Sequence, residues 1–584
     1  MTTNPPADLL YMNCKKLCVE RCLRAIVYSL ASQFMLLMVF LLFINFSFLH
    51  PIVWVTETLS TLLSVFTWIC MVPLLSFIVL YGICLGKFYM HEQTYSPTRF
   101  SQICKSFTSS AVFLLVHMFL GFLTAWLYSK WLQNEYKYFY YKCYENKYCI
   151  NEKHTFIVLN GIYISICYFF RQFVGKQKKI TFPIIQQSHF IEIKTNFYSV
   201  LLKSLKEAII PTLGFVASCY IIGDVLVYNV TKIFNLQIEL NSSVIDLQLV
   251  WYLFVISLQI LSNMYFIDFL FNIFLTEHKQ FPIESNATAV FDTEKDVTLV
   301  EALSAMKTPI VQQLAALDLY NMSLSNKLRR KQVYALSVPG GHPHNWKMLS
   351  SQCLFIITEY RNELSKSIDH LYKSNPTIYY KSMTVKNTAT NFADKIRQRQ
   401  HNESFGIRNM TSQQTTENSN EGSGSEQKKL FFGQRYLKEY LENVKLKMQN
   451  VQVAILNAPG IHFLFAEPDC QRVGYLLSGS QMIGWVVLGI AQLACCSLKE
   501  DSYGVVQTDL RTIIKSLLEL KLVLDKVSTC NIIRQSNQLK CVSLKSSVRR
   551  SLCNLAYVFS DYLPELTSVD DLKTIQHFAN FREF

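Results

Sequence analysis

The chain has 584 residues, long enough for more than one domain. Apolar residues make up 50% of it and charged residues only 17%, an imbalance that favours a membrane protein over an ordinary soluble one. The net charge of +14 is mild and spread over both halves of the chain, so it suits a membrane surface without by itself indicating nucleic-acid binding.

A polar stretch, 1–24, comes first. Within it Cys14, Cys18 and Cys22 recur every fourth residue and share one helix face. That face is either a plain juxtamembrane surface, the simpler reading, or a palmitoylation site. Six uncharged or nearly uncharged runs follow, each long enough to cross a hydrocarbon core of about 30 Å. They are Ala25–Leu49, Ser60–Leu85, Ser109–Tyr128, His154–Phe170, Ala208–Tyr228 and Leu249–Leu275. The first run is too long for the core of a cleaved signal peptide. The expected membrane domain is therefore 25–275, all-α and polytopic.

Six spans put both ends of the chain on one side. Lys15, Lys16, Arg21 and Arg24 lie there, with Lys87, Arg99 and Lys105 in one loop and Arg171, Lys176, Lys178, Lys179, Lys194, Lys203 and Lys206 in another. They outnumber Lys130, Lys137, Lys142, Lys147, Lys153 and Lys232 on the opposite loops. The positive-inside rule then places both termini in the cytosol or nucleoplasm. The luminal loops carry two glycan acceptor patterns, Asn229-Val-Thr231 and Asn241-Ser-Ser243. They also carry Cys143 and Cys149, either a disulfide in the oxidising lumen or two free thiols.

Three ionisable residues lie inside the spans: His117, Asp224 and Asp268. Such residues raise the question of a transport path. Asp224 and Asp268 fall near opposite faces, however, and no inverted repeat of broken helices accompanies them. A transporter or channel is the runner-up reading. The segment Asn196–Ile210 sets Phe197, Val200, Leu201 and Leu205 on one face and Lys203 and Lys206 off it. It reads equally as a helix lying in the interface and as an extension of the fifth span.

Beyond Glu277 the character changes to amphipathic helices with 3.6-residue periodicity. They are expected at Pro309–Met322, His344–Lys373, Gly433–Leu456, Thr508–Val527 with Thr508 as N-cap, and Lys545–Leu563. The helical tail divides into 276–383 and 430–584. Between them, 384–429 is rich in Asn, Thr, Ser, Gln and Glu and is expected to be a disordered insertion. The apolar stretch Tyr475–Cys496 is diluted by Gly479, Gln481, Gly484, Gly489 and Gln492, and reads as a buried tail helix rather than a seventh span. The basic cluster Asn326–Lys331 is expected to be a solvated helix end, with a nuclear localisation signal as the alternative.

The most unusual stretch is "SVPGGHPHNW", Ser337–Trp346. His342 and His344 flank Pro343 without the further Cys, His or carboxylate ligands that a zinc site needs. No HExxH, GxSxG or phosphate-binding glycine loop accompanies them. A membrane-bound enzyme is the least favoured reading, and no cofactor is expected. Pro339, Gly340 and Gly341 instead suit a turn, Pro343 holds His342 out of helical geometry, His344 or Asn345 suits the cap of the next helix, and Trp346 suits its first buried turn.

With "LKEDSYGVVQTDL" at Leu498–Leu510, which holds Asp501, Tyr503 and Gly504, and with six spans before a helical tail, this motif makes the chain resemble the nuclear-division-cycle transmembrane nucleoporins over its whole length. The resemblance implies a non-enzymatic anchor of the nuclear pore scaffold in the pore membrane that supports pore assembly. It implies nuclear membrane lipids, inner-ring nucleoporins and an Aladin-type WD-repeat nucleoporin as partners. It also implies both termini on the cytosolic or pore side and no direct contact with nucleic acid. Self-association is compatible with it.

Overall fold

In the computed structural model the residues described are 7–283, 296–374, 471–566 and Ile575, apart from 48, 91–94, 96–97, 143–147, 176–179, 184–185, 235–245, 337–340 and 529–534. The expected insertion at 384–429 and the expected helix Gly433–Leu456 lie outside them, as do Pro339, Gly340, Cys143 and Asn241.

The bundle begins with α1, Ala7–Ile44, which starts well before the first apolar run. At 1.5 Å per residue a helix of 38 residues exceeds the thickness of a bilayer core. Its first turns therefore extend beyond the membrane, and Cys14, Cys18 and Cys22 are buried there against neighbouring helices. Burial withdraws these thiols from acylation, and the face they share is packed against protein rather than being a plain juxtamembrane surface. A short helix α2, Pro51–Leu63, precedes α3, Val65–Met90. The sequence had merged Ser60–Leu63 with the second span, because Ser and Thr at that junction do not interrupt a hydropathy run. Helix α4 is Arg99–Tyr128. A short helix α5, Asn134–Lys137, and an antiparallel pair β1, Tyr140–Lys142, and β2, Tyr148–Ile150, lead to α6, Glu152–Phe169.

Next comes α7, His189–Phe234, one helix of 46 residues. It absorbs Asn196–Ile210, so that segment is an extension of the fifth span and not a separate interfacial helix. It also places Asn229 in its last turns, where the sequence predicted a loop. Helix α8, Leu247–Thr276, is buried along nearly its whole length at the centre of the bundle, against α1, α6 and α7.

Small residues let the helices approach. A Cβ added at Gly161 would meet the Ala125 Cβ at 2.6 Å and the Gly121 carbonyl at 2.6 Å. In a bilayer, where burial against lipid gives no advantage over burial against protein, such close approach and interhelical hydrogen bonds hold helices together. Gln33 Nε2 donates to Asn263 Oδ1 at 2.9 Å, and Asn160 Nδ2 donates to Ser257 Oγ at 2.8 Å. His117, buried, has Nδ1 2.7 Å from the Phe113 carbonyl; this nitrogen must be the donor, so Nε2 accepts from the Tyr81 hydroxyl at 3.2 Å. Asp268 accepts from the Tyr89 hydroxyl. Both ionisable groups are thus tied into the packing. The Asp224 side chain is not among those described.

The tail comprises α9, Leu299–Ser304; α10, Pro309–Ser325; α11, Lys327–Tyr334; α12, His344–Ser374; α13, Gln471–Leu477; α14, Ser480–Glu500; α15, Gln507–Ser528; α16, Gln535–Val558; and α17, Leu563–Leu566. Thr298 and Glu301 form a capping box on α9. Thr508 falls inside the first turn of α15, where its hydroxyl donates to the Val505 carbonyl, so it is not the cap that the sequence suggested.

Among the described residues six helices are long and apolar enough to cross a membrane. Five of them carry expected spans; the sixth is α14. Helix α14 is enclosed by α10, α12 and α16, with Ile483, Val486, Val487, Ile490 and Leu493 all buried. Its Gly489 lies against Leu319 of α10. Its apolar face thus has protein partners, and we place it in the tail core. The fifth expected span, Ala208–Tyr228, lies within α7.

Candidate functional site at the junction of bundle and tail

The last turn of α8 exposes backbone carbonyls that no helical N–H can satisfy. Arg21 of α1, 2% exposed, takes them up: its Nη1 donates to the carbonyls of Phe274 at 3.4 Å, Leu275 at 3.2 Å and Glu277 at 2.6 Å. A cation at the negative end of the helix dipole adds to this. Arg24 then pairs with Glu277 at 2.9 Å, and His189 Nε2 of α7 lies 3.5 Å from the same carboxylate. The start of α7 and the end of α8 therefore converge on the first half of α1, where the chain leaves the membrane.

Four residues on, Phe281 is buried and its N–H donates to Asp318 Oδ2 of α10 at 2.9 Å. Asp318 is fully buried. It accepts from Arg329 Nη1 and Nη2, both at 2.7 Å, and Arg329 also donates to the Phe281 carbonyl at 2.7 Å. His278 Nε2 stands 3.3 Å from Oδ1. Burial alone would raise the Asp318 pKa. The Arg329 guanidinium, His278 and the Phe281 N–H outweigh it and hold the carboxyl below its ordinary value. One buried carboxylate thus clamps the exit of the last membrane helix to the tail. Two further contacts reinforce it. Gln186, between α6 and α7, donates to the Thr276 carbonyl at 2.7 Å and accepts from the His278 N–H at 2.9 Å. Gln481 of α14 donates to the Phe182 carbonyl at 3.2 Å, beside the Phe182–Trp485 ring contact.

The two motifs noted in the sequence meet inside the tail. Trp346, 1% exposed, donates from Nε1 to Asp509 Oδ2 at 3.0 Å, and the Ser350 hydroxyl donates to the same oxygen at 2.8 Å. Asn345 Nδ2 reaches back to the Gln332 carbonyl at 3.1 Å, which ties α12 to α11. His344 and Asn345 lie inside α12 and Pro343 holds its cap position, the Lys347 N–H donating to the Pro343 carbonyl at 3.0 Å, so neither His344 nor Asn345 is the cap that the sequence suggested. Gly341 is partly buried. In the second motif Asp501 accepts from the Tyr503 and Val506 N–H groups at 3.1 and 3.0 Å. Gly504, at φ 67°, supplies the left-handed residue that this loop needs. Next to it Arg330 and Glu500 form a two-pronged pair at 2.8 and 2.9 Å, which lowers the Glu500 pKa and raises that of Arg330. The Tyr334 hydroxyl donates to the Leu493 carbonyl at 2.7 Å. The two arginines of the basic cluster are thus structural: for Arg329 and Arg330 the expected solvated helix end does not hold, and they are withdrawn from the localisation-signal reading as well.

Sequence reasoning missed Asp318, Asp509 and Glu500, and it read Arg21 only as a topology charge and Arg329 only as part of a solvated basic cluster. A signal existed for Asp318: a lone acid inside the apolar stretch Leu314–Leu319 on a helix. Cys149 on β2 is disulfide-bonded, and Cys143 lies outside the described residues. Among the described residues no cluster of three metal-ligating side chains occurs.

Such an arrangement, a polar-buttoned bundle carrying a helical tail clamped to one end, defines an all-α multi-pass membrane protein. The family model described as nucleoporin protein Ndc1-Nup matches residues 16–576. A curated relative, nucleoporin Ndc1 of Drosophila melanogaster, is 34% identical over 95% of this chain and 96% of its own length. Nucleoporin NDC1 of Homo sapiens is 22% identical over 96% of this chain and 97% of its own, and that of Danio rerio is 22% identical over 97% and 98%. The chain belongs to the Ndc1 family of nucleoporins, structural components of the pore and not enzymes.

Proposed function

We propose that this chain anchors the nuclear pore scaffold in the pore membrane and supports pore assembly. The bundle embeds in the bilayer, and the tail, with both termini on the cytosolic or pore side, presents the docking surface. Inner-ring nucleoporins and an Aladin-type WD-repeat nucleoporin are the expected partners, and nuclear membrane lipids surround the bundle. The observation that carries this reading is the clamp at Asp318. A tail joined by a loose linker would swing freely, whereas Asp318 and Arg329 hold Phe281, just beyond α8, to the first tail helices, and Arg21 of α1 holds the end of α8 itself. A Cys143–Cys149 disulfide and glycosylation at Asn241 would belong to the same topology, since both positions fall on the opposite side in this reading. The helical setting of Asn229 makes it the poorer acceptor.

Proximity labelling from a tag on the tail tests the proposal. The expected result is a nuclear-rim pattern with inner-ring nucleoporins dominant among labelled proteins. A diffuse reticular pattern dominated by metabolic enzymes would overturn it.

A further inference from the structure

The short helix α2 lies at the end of α1 remote from the tail. Its 13 residues extend only about 20 Å, too short to cross a bilayer. Three contacts fix its roll. The Trp54 indole N–H donates to the Leu42 carbonyl at 2.9 Å, the Asn45 amide reaches the Thr58 hydroxyl at 3.4 Å, and the Trp68 indole donates to the Leu62 carbonyl at 2.9 Å. Thr58 and Leu62 are consequently buried against the ends of the spans.

With that strip packed down, the two flanks differ. At 3.6 residues per turn, Val55, Leu59, Ile52 and Leu63 fall within an arc of about 80° on one side. All four are exposed: Ile52 is 78% and Leu63 is 63% accessible. On the other flank Thr56, Ser60 and Glu57, with Asn45 and Thr61, line a polar recess. Val53 alone is apolar on that flank. The neighbouring segments also expose apolar side chains: Phe43 in the last turn of α1, and Val65, Phe66 and Ile69 of α3, which begins two residues after Leu63. An apolar flank set between such segments shares their solvent. Glu57, in contrast, must face water.

We infer that α2 lies flat in the leaflet opposite the tail, with Ile52, Val55, Leu59 and Leu63 among the acyl chains and Thr56, Glu57 and Ser60 at the aqueous boundary. It carries no Lys or Arg. Its insertion therefore rests on apolar burial and not on attraction to anionic headgroups, and it favours loosely packed, curved lipid. The protein then grips both leaflets: the tail and α1 extension on one side, α2 on the other.

The test uses the full-length protein in neutral phosphatidylcholine vesicles, footprinted by a lipid-soluble carbene precursor and separately by hydroxyl radicals from the water phase. Severalfold greater carbene incorporation at Ile52, Leu59 and Leu63 than at Thr56, Glu57 and Ser60 is expected, with the radical pattern reversed. Radical labelling of Ile52 and Leu59 would overturn the inference. So would protection of that flank from both reagents, which would mean that a second copy of the chain covers it. This outcome is independent of whether the tail recruits pore components.

Discussion

The bundle and the tail are both helical, yet they bury polarity in different ways. Inside the bundle the buried polar groups are mostly neutral and answer one another across helices: Gln33 to Asn263, Asn160 to Ser257, His117 to Tyr81. In the tail they are charged and paired, Asp318 with Arg329 and Arg330 with Glu500. The difference follows from the solvent. A tail residue at the rim of a pair can reach water, so a charge is affordable there; in hydrocarbon it is not. The bundle replaces hydrophobic drive with close backbone approach at glycines, whereas the tail relies on amphipathic faces such as that of α15, with Leu510, Ile513, Ile514, Leu517 and Leu524 buried.

The sharpest way to break this contrast is to remove the clamp. Asp318→Ala leaves Arg329 and the Phe281 N–H facing a partly buried gap. A loss of about 3–5 kcal/mol is expected, read as detachment or melting of the tail in a detergent-solubilised thermal scan while the bundle stays monodisperse. An unchanged tail transition would show that the clamp does not hold it. Gly161→Leu addresses the other half. The side chain has no room beside Ala125 and the Gly121 carbonyl. A cost of about 1–3 kcal/mol or more is expected in the bundle transition alone, checked by size-exclusion after heating.

Acid should distinguish the two halves as well. Asp318 titrates below the ordinary carboxylate value of about 3.9. The unfolded state therefore binds the proton first. The stabilisation from Asp318 is complete above the ordinary value and is lost as the pH falls through the lower folded value. In an acid titration followed by helical circular dichroism, the wild-type tail should lose this increment in that window, and Asp318→Asn should lack it.

Two smaller effects complete the comparison. Trp346→Phe deletes the bond to Asp509 and leaves part of the indole's space unfilled, and about 1–3 kcal/mol should be lost from the tail. Gln33→Leu deletes one interhelical bond in the bundle, where about 0.6 kcal/mol is expected because the unfolded helices also find polar partners in the membrane. Both are checked by the same thermal scan, and a larger effect for Gln33 than for Trp346 would invert the contrast.

The legibility of the molecule divides along similar lines. The spans and tail helices could be read because hydropathy and periodicity are local properties. Helix ends could not: α1 begins before its apolar run because Cys14, Cys18, Arg21 and Cys22 are held by neighbours distant in sequence. Trp346 could be expected to be buried, since a tryptophan in the first turn after a Pro-Gly-Gly turn has few other places to go. Its partner Asp509 could not be expected, because nothing local distinguishes an aspartate at the start of one helix from a solvated one. Charge pairs such as Asp318–Arg329 are set by tertiary contact alone. The glycines at 121 and 161 likewise show their purpose only when the two helices are seen crossing.

The central claim is that the clamped tail, and not the bundle, holds the pore scaffold. The direct measurement is recovery of inner-ring nucleoporins with a chain lacking residues 277–584, expressed in place of the full-length protein and purified from nuclear envelopes. The account predicts that the shortened chain still reaches the membrane but recovers few or none of them. Recovery equal to that of the full-length chain would contradict it.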